Sequence, residues 1–132
     1  MTMPPRPVLG ASACVWRGEE VLIAKRGKPP FLWSLPGGHV ERGETLIVAA
    51  GRELLEETGV EAELSHFIEM AEIIRADAHY VIACFTGHWV AGEAVAASDV
   101  EAVAWVHPDG LAAYGLTPGT QSVIAKARRL TR

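Results

Sequence analysis

The sequence predicts an α/β protein built on a mixed β-sheet, and three observations support this fold class. Strand-like apolar segments outnumber helical ones along the chain. One segment in the middle is rich in Ala, Leu and Glu and stops at a glycine, which is typical of a helix end. A second helical pattern closes the chain, with apolar residues three and four positions apart.

The N-terminal part predicts a β-hairpin followed by a short strand. Apolar residues occupy positions 7–16 and 21–24, and turn residues lie between the two runs. Two prolines end regular structure in the loop at 26–30. Residues 31–35 are a further strand candidate, which ends at the Pro-Gly-Gly of residues 36–38.

Residues 45–58 form the strongest helical pattern, with Gly59 as its stop. At about 100° per residue, Glu53, Glu56 and Glu57 share an arc of about 100°. A single arc of this kind is most often a solvated helix face. Two features favour a metal site instead: like charges one helical turn apart are destabilising, and residues 41–61 hold six of the sixteen acids. Crowded carboxylates suit Mg²⁺ or Mn²⁺, and no His or Cys cluster indicates zinc.

The same arithmetic assigns the other sides of this helix. The side opposite the acids is apolar, and we expect it to pack on the sheet: Ile47, Val48, Leu54 and Leu55, with Gly51 among them. Gly51 would then allow the helix backbone to approach the sheet closely. Ala49 and Ala50 lie beside the acids, where we expect them to leave open space.

The second half of the chain predicts more strands and the final helix. Residues 60–74 alternate enough for one or two strands, and residues 80–86 and 102–106 predict two others. Thr117 is placed to cap the last helix, with Pro118 at its first position. The buried face of that helix is expected to consist of Val123, Ile124, Ala127 and Leu130.

Length, composition and charge exclude several classes of protein. Residues 1–132 suit a single domain, and 49% apolar with 21% charged residues argues against disorder. A net charge of −4 argues against general nucleic-acid binding, although a bound cation would still admit an anionic substrate. No apolar run reaches membrane-spanning length, and the N-terminus lacks the order of a signal peptide. We interpret Cys14 and Cys84 as buried thiols of a cytoplasmic protein, and the alternative is a single disulfide in an exported protein.

Residues 38–60 reproduce a known motif, written G-x5-E-x7-R-E-U-x-E-E-x-G-U with U an aliphatic residue. Every specified position is matched: Gly38, Glu44, Arg52, Glu53, Leu54, Glu56, Glu57, Gly59 and Val60. The match extends weakly to residues 33–38 and 103–106. The chain therefore resembles the Nudix family, whose defining motif is this Nudix box.

The resemblance implies an α/β/α sandwich with a central mixed sheet, and Mg²⁺-dependent hydrolysis with Mn²⁺ as a substitute. It implies that Glu53, Glu56 and Glu57 bind the metal, with Glu57 the most critical. The Gly38 carbonyl is an additional ligand candidate. Glu44 and Arg52 are implied as supporting residues, whose ion pair would orient the helix that carries the ligands.

The base that takes the proton from the attacking water is left open by the resemblance. Glu53 is a candidate within the motif, and Glu57 is counted with it among the catalytic residues. Asp99 and Glu101, just before the strand that contains Trp105, are the loop candidates, and Glu93 is a third.

Candidate substrate contacts come from basic and aromatic residues near the motif. Arg26 and Lys28 are candidates for the diphosphate, and His39 for a phosphate or a metal-bound water. Trp33 is a candidate for stacking on a base. Phe31, Tyr80 and Trp89 are further stacking candidates, while Trp16 and Trp105 are assigned to the core.

The predicted function is hydrolysis of a nucleoside diphosphate linked to another group, with ADP-ribose or a similar sugar nucleotide preferred. This preference comes from a resemblance of the late segment to small ADP-ribose pyrophosphatases. One alternative is a MutT-type triphosphate pyrophosphohydrolase, which Thr117 slightly disfavours because the oxidised-guanine type tends to place Asn there. Another is a non-catalytic nucleotide-binding module, against which the intact set of glutamates argues. The expected partner is a small nucleotide, not a nucleic acid or a membrane, and the chain is expected to be a monomer or a homodimer.

Overall fold

The computed structural model describes residues 6–131, and a mixed seven-stranded sheet is its central feature. The strands are β1 (Val8–Arg17), β2 (Glu20–Arg26), β3 (Trp33–Ser34), β4 (Gly37–His39), β5 (Glu61–Arg75), β6 (Ala78–Ala91) and β7 (Val100–Val106). The helices are α1 (Leu46–Thr58), α2 (Thr120–Leu130) and a short 3₁₀ helix at Pro108–Ala113. None of the helices within residues 6–131 has the length and apolar character needed to cross a membrane.

β1 lies at the centre of the sheet. The strand order is β3-β2-β1-β6-β5, with β4 also paired to β1 and β7 to β2. β1 is parallel to β6, whereas the other pairs are antiparallel. The predicted mixed sheet is therefore confirmed.

Each face of the sheet is covered by one helix. Successive residues of a strand point to opposite faces, so Ala13 and Val15 of β1 pack with α1 while Cys14 and Trp16 pack on the other side with α2. Two buried clusters result, one under each helix. The expected α/β/α sandwich is confirmed by this arrangement.

The predicted strands are present, but several differ in length from the prediction. β2, β6 and β7 extend beyond 21–24, 80–86 and 102–106, whereas the strand predicted at 31–35 is reduced to Trp33–Ser34. Residues 60–74 contribute to one strand, β5. β4 was not predicted, because two glycines in three residues carry little strand propensity. It forms because β1 offers it hydrogen-bonding partners, and a Cβ atom on Gly37 would lie 2.5 Å from the Ala11 carbonyl oxygen.

The start of α2 corrects the prediction that Thr117 caps this helix. The helix begins after Gly119, whose φ of 86° is a left-handed conformation that favours glycine. Thr117 instead lies in the preceding turn, where its backbone N–H donates to the Trp33 carbonyl. Val123, Ile124 and Ala127 are buried as expected, but Leu130, in the last turn, is exposed.

α1 begins and ends as predicted, but its rotation is different. Thr45 caps it by accepting a hydrogen bond from the Val48 N–H, and Gly59 ends it with φ 73°. The buried residues are Ala49, Ala50, Leu54, Glu57 and Thr58. The side expected to pack on the sheet is largely exposed: Ile47 at 41%, Val48 at 57% and Leu55 at 48%.

Gly51 does not approach the sheet, which overturns the prediction for this residue. A Cβ atom built on it would meet nothing within 4 Å outside its own helix. Ala49 and Ala50 are the residues that allow close packing, since both are fully buried against β1. The acid side of α1 therefore turns inward with these two small residues, because they leave room for the helix to approach the sheet.

Candidate active site

β4 places the glycine pair Gly37–Gly38 against the acid side of α1. Gly38 is paired with Ala11 of β1, which holds the backbone of this glycine pair in place. A Cβ atom on Gly38 would lie 2.5 Å from Oε2 of Glu53. The Glu53 carboxylate therefore touches the peptide backbone at Gly38, and a residue with a side chain would displace it.

Glu57 is the most deeply buried acid of the site, with 2% of its side chain exposed. Its Oε1 accepts a hydrogen bond from the Gly37 N–H at 3.0 Å, and its Oε2 accepts one from Arg26 Nη1 at 3.0 Å. Burial raises the pKa of Glu57 to about 7, although Arg26 and the Gly37 N–H act to lower it. The negative charge of Asp99 also acts to raise this pKa.

Arg52 connects the other acids of the motif. Its Nε and Nη2 donate to the two carboxylate oxygens of Glu44 at 2.6 and 2.9 Å. Its Nη1 lies 3.0 Å from Oε1 of Glu53 and 3.1 Å from Oε2 of Glu56, and Nη2 also donates to the His39 carbonyl. The pair with Glu44 raises the pKa of Arg52 and holds the pKa of Glu44 below its ordinary value.

The metal ligands predicted from the sequence are all oxygen atoms: the carboxylates of Glu53, Glu56 and Glu57 and the carbonyl of Gly38. Hard divalent cations such as Mg²⁺ prefer ligands of this kind. In the part of the chain that the structure describes, no three His, Cys, Asp or Glu side chains converge as an assembled metal cage. The acids face Arg26 and Arg52 instead. These residues supply the type of ligand that a divalent cation needs, and they lie close together. Glu56, with 51% of its side chain exposed, has room to turn towards such a cation.

The loop before β7 passes the C-terminal end of α1. The Ala97 N–H donates to the Glu57 carbonyl at 3.0 Å, and the Gly27 N–H donates to the Asp99 carbonyl at 3.0 Å. These bonds hold the loop that carries Asp99 beside the C-terminal end of α1. Asp99 is exposed, as is Glu101, which lies two residues later on β7.

Lys28 lines a cavity next to these loop acids. The cavity has a volume of about 400 Å³, and its walls are Gly27, Lys28, Ser98, Asp99, Val100 and Glu101. One of its walls, Gly27, directly follows Arg26, whose side chain bonds to Glu57, so the cavity adjoins this end of α1. Lys28 is thus placed where an anionic group near the acids would meet a cation.

The aromatic candidates have different surroundings. Trp33 packs edge-on against Tyr114, with 5.0 Å between the ring centroids. The His39 ring is 6.4 Å from the ring of Tyr80, and His39 joins the acid cluster through its carbonyl. Trp16 is buried in the core, as predicted.

Sequence reasoning did not single out two groups that hold the site together. The Gly37 N–H is a hydrogen-bond donor to Glu57, and Ser34 Oγ accepts from Arg26 Nε at 3.0 Å. The glycine pair indicated a close backbone approach but not which amide would be used. No sequence pattern marks Ser34, because its contact depends on β3 pairing with β2.

The chain is similar to known proteins in both sequence and fold. A family model described as NUDIX domain matches residues 6–127. A protein named Phosphatase NudJ from Escherichia coli strain K12 is 54% identical to this chain over 67 residues. That alignment covers 49% of this chain and 44% of NudJ, which is less than half of the relative's own length.

Solved structures share the whole fold. A MutT NUDIX hydrolase from Burkholderia pseudomallei matches with a TM-score of 0.84 and 29% identity, covering 92% of this chain and 98% of its own. The NUDIX domain of NrtR from Shewanella oneidensis, solved with ADP ribose, matches with a TM-score of 0.81. Its identity is 22%, with coverage of 97% of this chain and 90% of its own, and this likeness shows the fold alone.

Proposed function

The chain belongs to the NUDIX domain family, and from this premise we propose that it is a Mg²⁺-dependent pyrophosphohydrolase. The proposed substrate is a nucleoside diphosphate linked to another group, with ADP-ribose or a similar sugar nucleotide first. Water attacks a phosphorus atom and breaks the phosphoanhydride bond, so ADP-ribose would yield AMP and ribose 5-phosphate.

The observation that carries this proposal is the inward direction of the acid side of α1. A solvated face would expose its carboxylates, but Glu57 is 2% exposed and the Glu53 side chain is 15% exposed. Burying carboxylates costs free energy unless opposite charges or hydrogen bonds compensate it. A chain that keeps such a cluster of carboxylates against the glycine pair of β4 is well suited to hold a divalent cation there.

The residues divide the chemistry between them. A bound Mg²⁺ would neutralise charge on the diphosphate and lower the pKa of the attacking water. Glu53, Glu56 and Glu57 would hold this ion together with the Gly38 carbonyl. Arg52 pairs with the carboxylates of both Glu53 and Glu56 and so keeps them near the glycine pair of β4.

Asp99 is the proposed base that takes the proton from the attacking water. Its loop bonds to the end of α1 through the Ala97 N–H and the Glu57 carbonyl, whereas Glu101 lies on β7. Lys28 lines the same cavity as Asp99 and is proposed to contact a phosphate of the substrate. These two residues therefore connect the metal-binding acids to the space where the substrate would lie.

ADP-ribose is the first compound to test because a NUDIX domain of the same fold was solved with ADP ribose. The second candidate is a nucleoside triphosphate, which the 29% identical structure named MutT NUDIX hydrolase favours. The products distinguish them, since a triphosphate would yield a monophosphate and pyrophosphate.

The test is a hydrolysis assay with dinucleotides, sugar nucleotides and triphosphates, each with Mg²⁺ and with excess chelator. We expect turnover with Mg²⁺ or Mn²⁺ and none with chelator. Glu57→Gln should abolish turnover, while Glu61→Gln, which makes the same change at an exposed position on β5, should leave it intact. Full turnover in chelator, or an active Glu57→Gln variant, would show that the metal assignment is wrong.

The protein is also proposed to act in the cytoplasm. Cys14 and Cys84 are free thiols in the core beneath α2. Burial raises the pKa of both, that of Cys14 to about 12, so neither ionises readily. Buried free thiols of this kind are typical of a reducing compartment.

A further inference from the structure

We propose that Arg26 is a positioning residue for Glu57, which orients the carboxylate through contacts inside the protein. This inference rests on the proposed function, because it takes Glu57 to be a metal ligand. It also replaces the expectation that Arg26 contacts the diphosphate of the substrate.

All three nitrogens of the Arg26 guanidinium already have protein acceptors. Nε donates to Ser34 Oγ at 3.0 Å, Nη1 to Glu57 Oε2 at 3.0 Å and Nη2 to the Leu35 carbonyl at 3.1 Å. The guanidinium thus joins β3, the segment that follows it and α1. Turning towards a substrate would break these bonds and leave a buried carboxylate without its counter-charge.

The end of β2 holds the backbone of Arg26 beside the residues that its side chain contacts. Arg26 is the last residue of β2, and the pairing with β7 shifts register between Lys25 and Arg26. The Arg26 N–H donates to the Leu32 carbonyl at 2.9 Å, which holds the following loop against the end of β2. This loop leads directly to Ser34 and Leu35, which accept hydrogen bonds from the guanidinium next to Glu57.

Glu57 is held on both oxygens at once. The Gly37 N–H engages Oε1 and Arg26 engages Oε2. A carboxylate has about four lone-pair sites, so each oxygen retains one for a metal ion. Partners that orient a ligand from behind are typical of metal sites, and losing one costs about 10–100-fold in metal affinity or activity.

A lysine at position 26 would only partly replace this arrangement. Its single ammonium group can neutralise Glu57, but it lacks the planar fork that reaches three acceptors in fixed directions. Arg26→Lys should therefore rescue part of what Arg26→Gln loses. This graded response separates the orientation of Glu57 from the neutralisation of its charge.

The experiment measures Mn²⁺ binding through the electron paramagnetic resonance signal of free Mn²⁺, together with kcat and KM. Arg26→Gln should weaken Mn²⁺ binding about 10–100-fold and lower kcat, with KM for the substrate changed less than about twofold. Arg26→Lys should fall between this variant and the parent. Arg75→Gln, which removes the same charge from an exposed residue at the end of β5, should match the parent.

A double-variant cycle measured in chelator guards against a simple folding defect. Arg26→Gln should raise the unfolding equilibrium constant in both chains. The increase in the parent should exceed the increase in the Glu57→Gln chain by at least about tenfold. Equal effects in both chains would overturn the proposal, since Arg26 would then act without Glu57.

The remaining outcomes distinguish the two proposals. A parent protein that binds no Mn²⁺ would overturn the proposed function and this inference together. Unchanged or tighter Mn²⁺ binding in Arg26→Gln, with the parent binding and active, would overturn the inference alone. A raised KM with unchanged Mn²⁺ affinity in Arg26→Gln would overturn the inference, because it would show that Arg26 contacts the substrate.

Discussion

The Glu53 carboxylate fills the space beside Gly38 in which any other residue would place its Cβ atom, 2.5 Å from Oε2. The neighbour is the end of a side chain and can move, so an added methyl group would displace the carboxylate without breaking the fold. Gly38→Ala should therefore lower hydrolysis about 100-fold, as a misplaced catalytic group does, and change the unfolding free energy by less than about 1 kcal/mol.

Gly51→Ala is the matched control for this substitution. The same methyl group added to Gly51 meets nothing within 4 Å, so hydrolysis should stay at the parental rate. Steady-state kinetics and urea unfolding of both variants decide the matter. A Gly38→Ala variant with parental activity would show that hydrolysis does not require the Glu53 carboxylate to lie against Gly38.

Glu57 should make the metal-free protein less stable as the pH rises from about 5 to about 8. The carboxyl has a pKa of about 7 when folded against an ordinary value of 4.5. Between these values the folded chain keeps a proton that the unfolded chain has lost, so stability falls with rising pH and levels off above the folded pKa. The full effect is at most about 3 kcal/mol.

The measurement compares the parent with Glu57→Gln by urea unfolding in chelator across this pH range. Gln cannot titrate, so the difference in unfolding free energy should move in favour of the variant as the pH rises. A difference that stays constant would mean that Glu57 is ionised throughout, with Arg26 fully compensating its burial.

The rotation of α1 predicts opposite effects at two neighbouring positions. Gly51→Ala should stabilise the protein by about 0.5–1 kcal/mol, because Ala is the better helix residue and the space is open. Ala50→Leu should destabilise it by about 1–3 kcal/mol, because Ala50 is fully buried against β1. Denaturant unfolding with chelator measures both. Destabilisation by Gly51→Ala would restore the orientation expected from the helix arithmetic.

Asp99 and Glu101 separate by kinetics. Asp99→Asn should lower kcat about 100- to 10,000-fold, the range for loss of a general base, while Glu101→Gln should lower it far less. The two variants change the same charge two residues apart, so each controls for the other. A larger loss at Glu101 would assign the base to β7.

α1 shows what the sequence could predict and where prediction stopped. Spacing alone predicts that Glu53, Glu56 and Glu57 share one side, and the helical segment 45–58 with its stop at Gly59 is confirmed. The predicted inward side is wrong, because most of the apolar arc is exposed and the acid side faces the sheet. The two buried alanines beside the acids were the signal, since small residues mark a close approach as well as open space.

The contacts of Arg26 lay beyond the reach of the sequence for another reason. A basic residue in a loop next to a phosphate-binding motif suggests a substrate contact, and nothing local contradicts that interpretation. Its partners come from two separate segments, with Ser34 and Leu35 in one and Glu57 in the other. Only the packing of these segments shows that all three guanidinium nitrogens already donate to the protein.

The parallel pairing of β1 with β6 affects the order in which the parts of the site can assemble during synthesis. Thr86 bonds to the Cys14 carbonyl across 72 residues of chain, and closing so long a loop costs entropy that local contacts do not repay. β5 and β6 are adjacent in the chain and can pair early, whereas β1 must wait for them. Asp99 emerges later still. A nascent chain therefore displays its helix of acids long before the sheet and the last carboxylate arrive to complete the site.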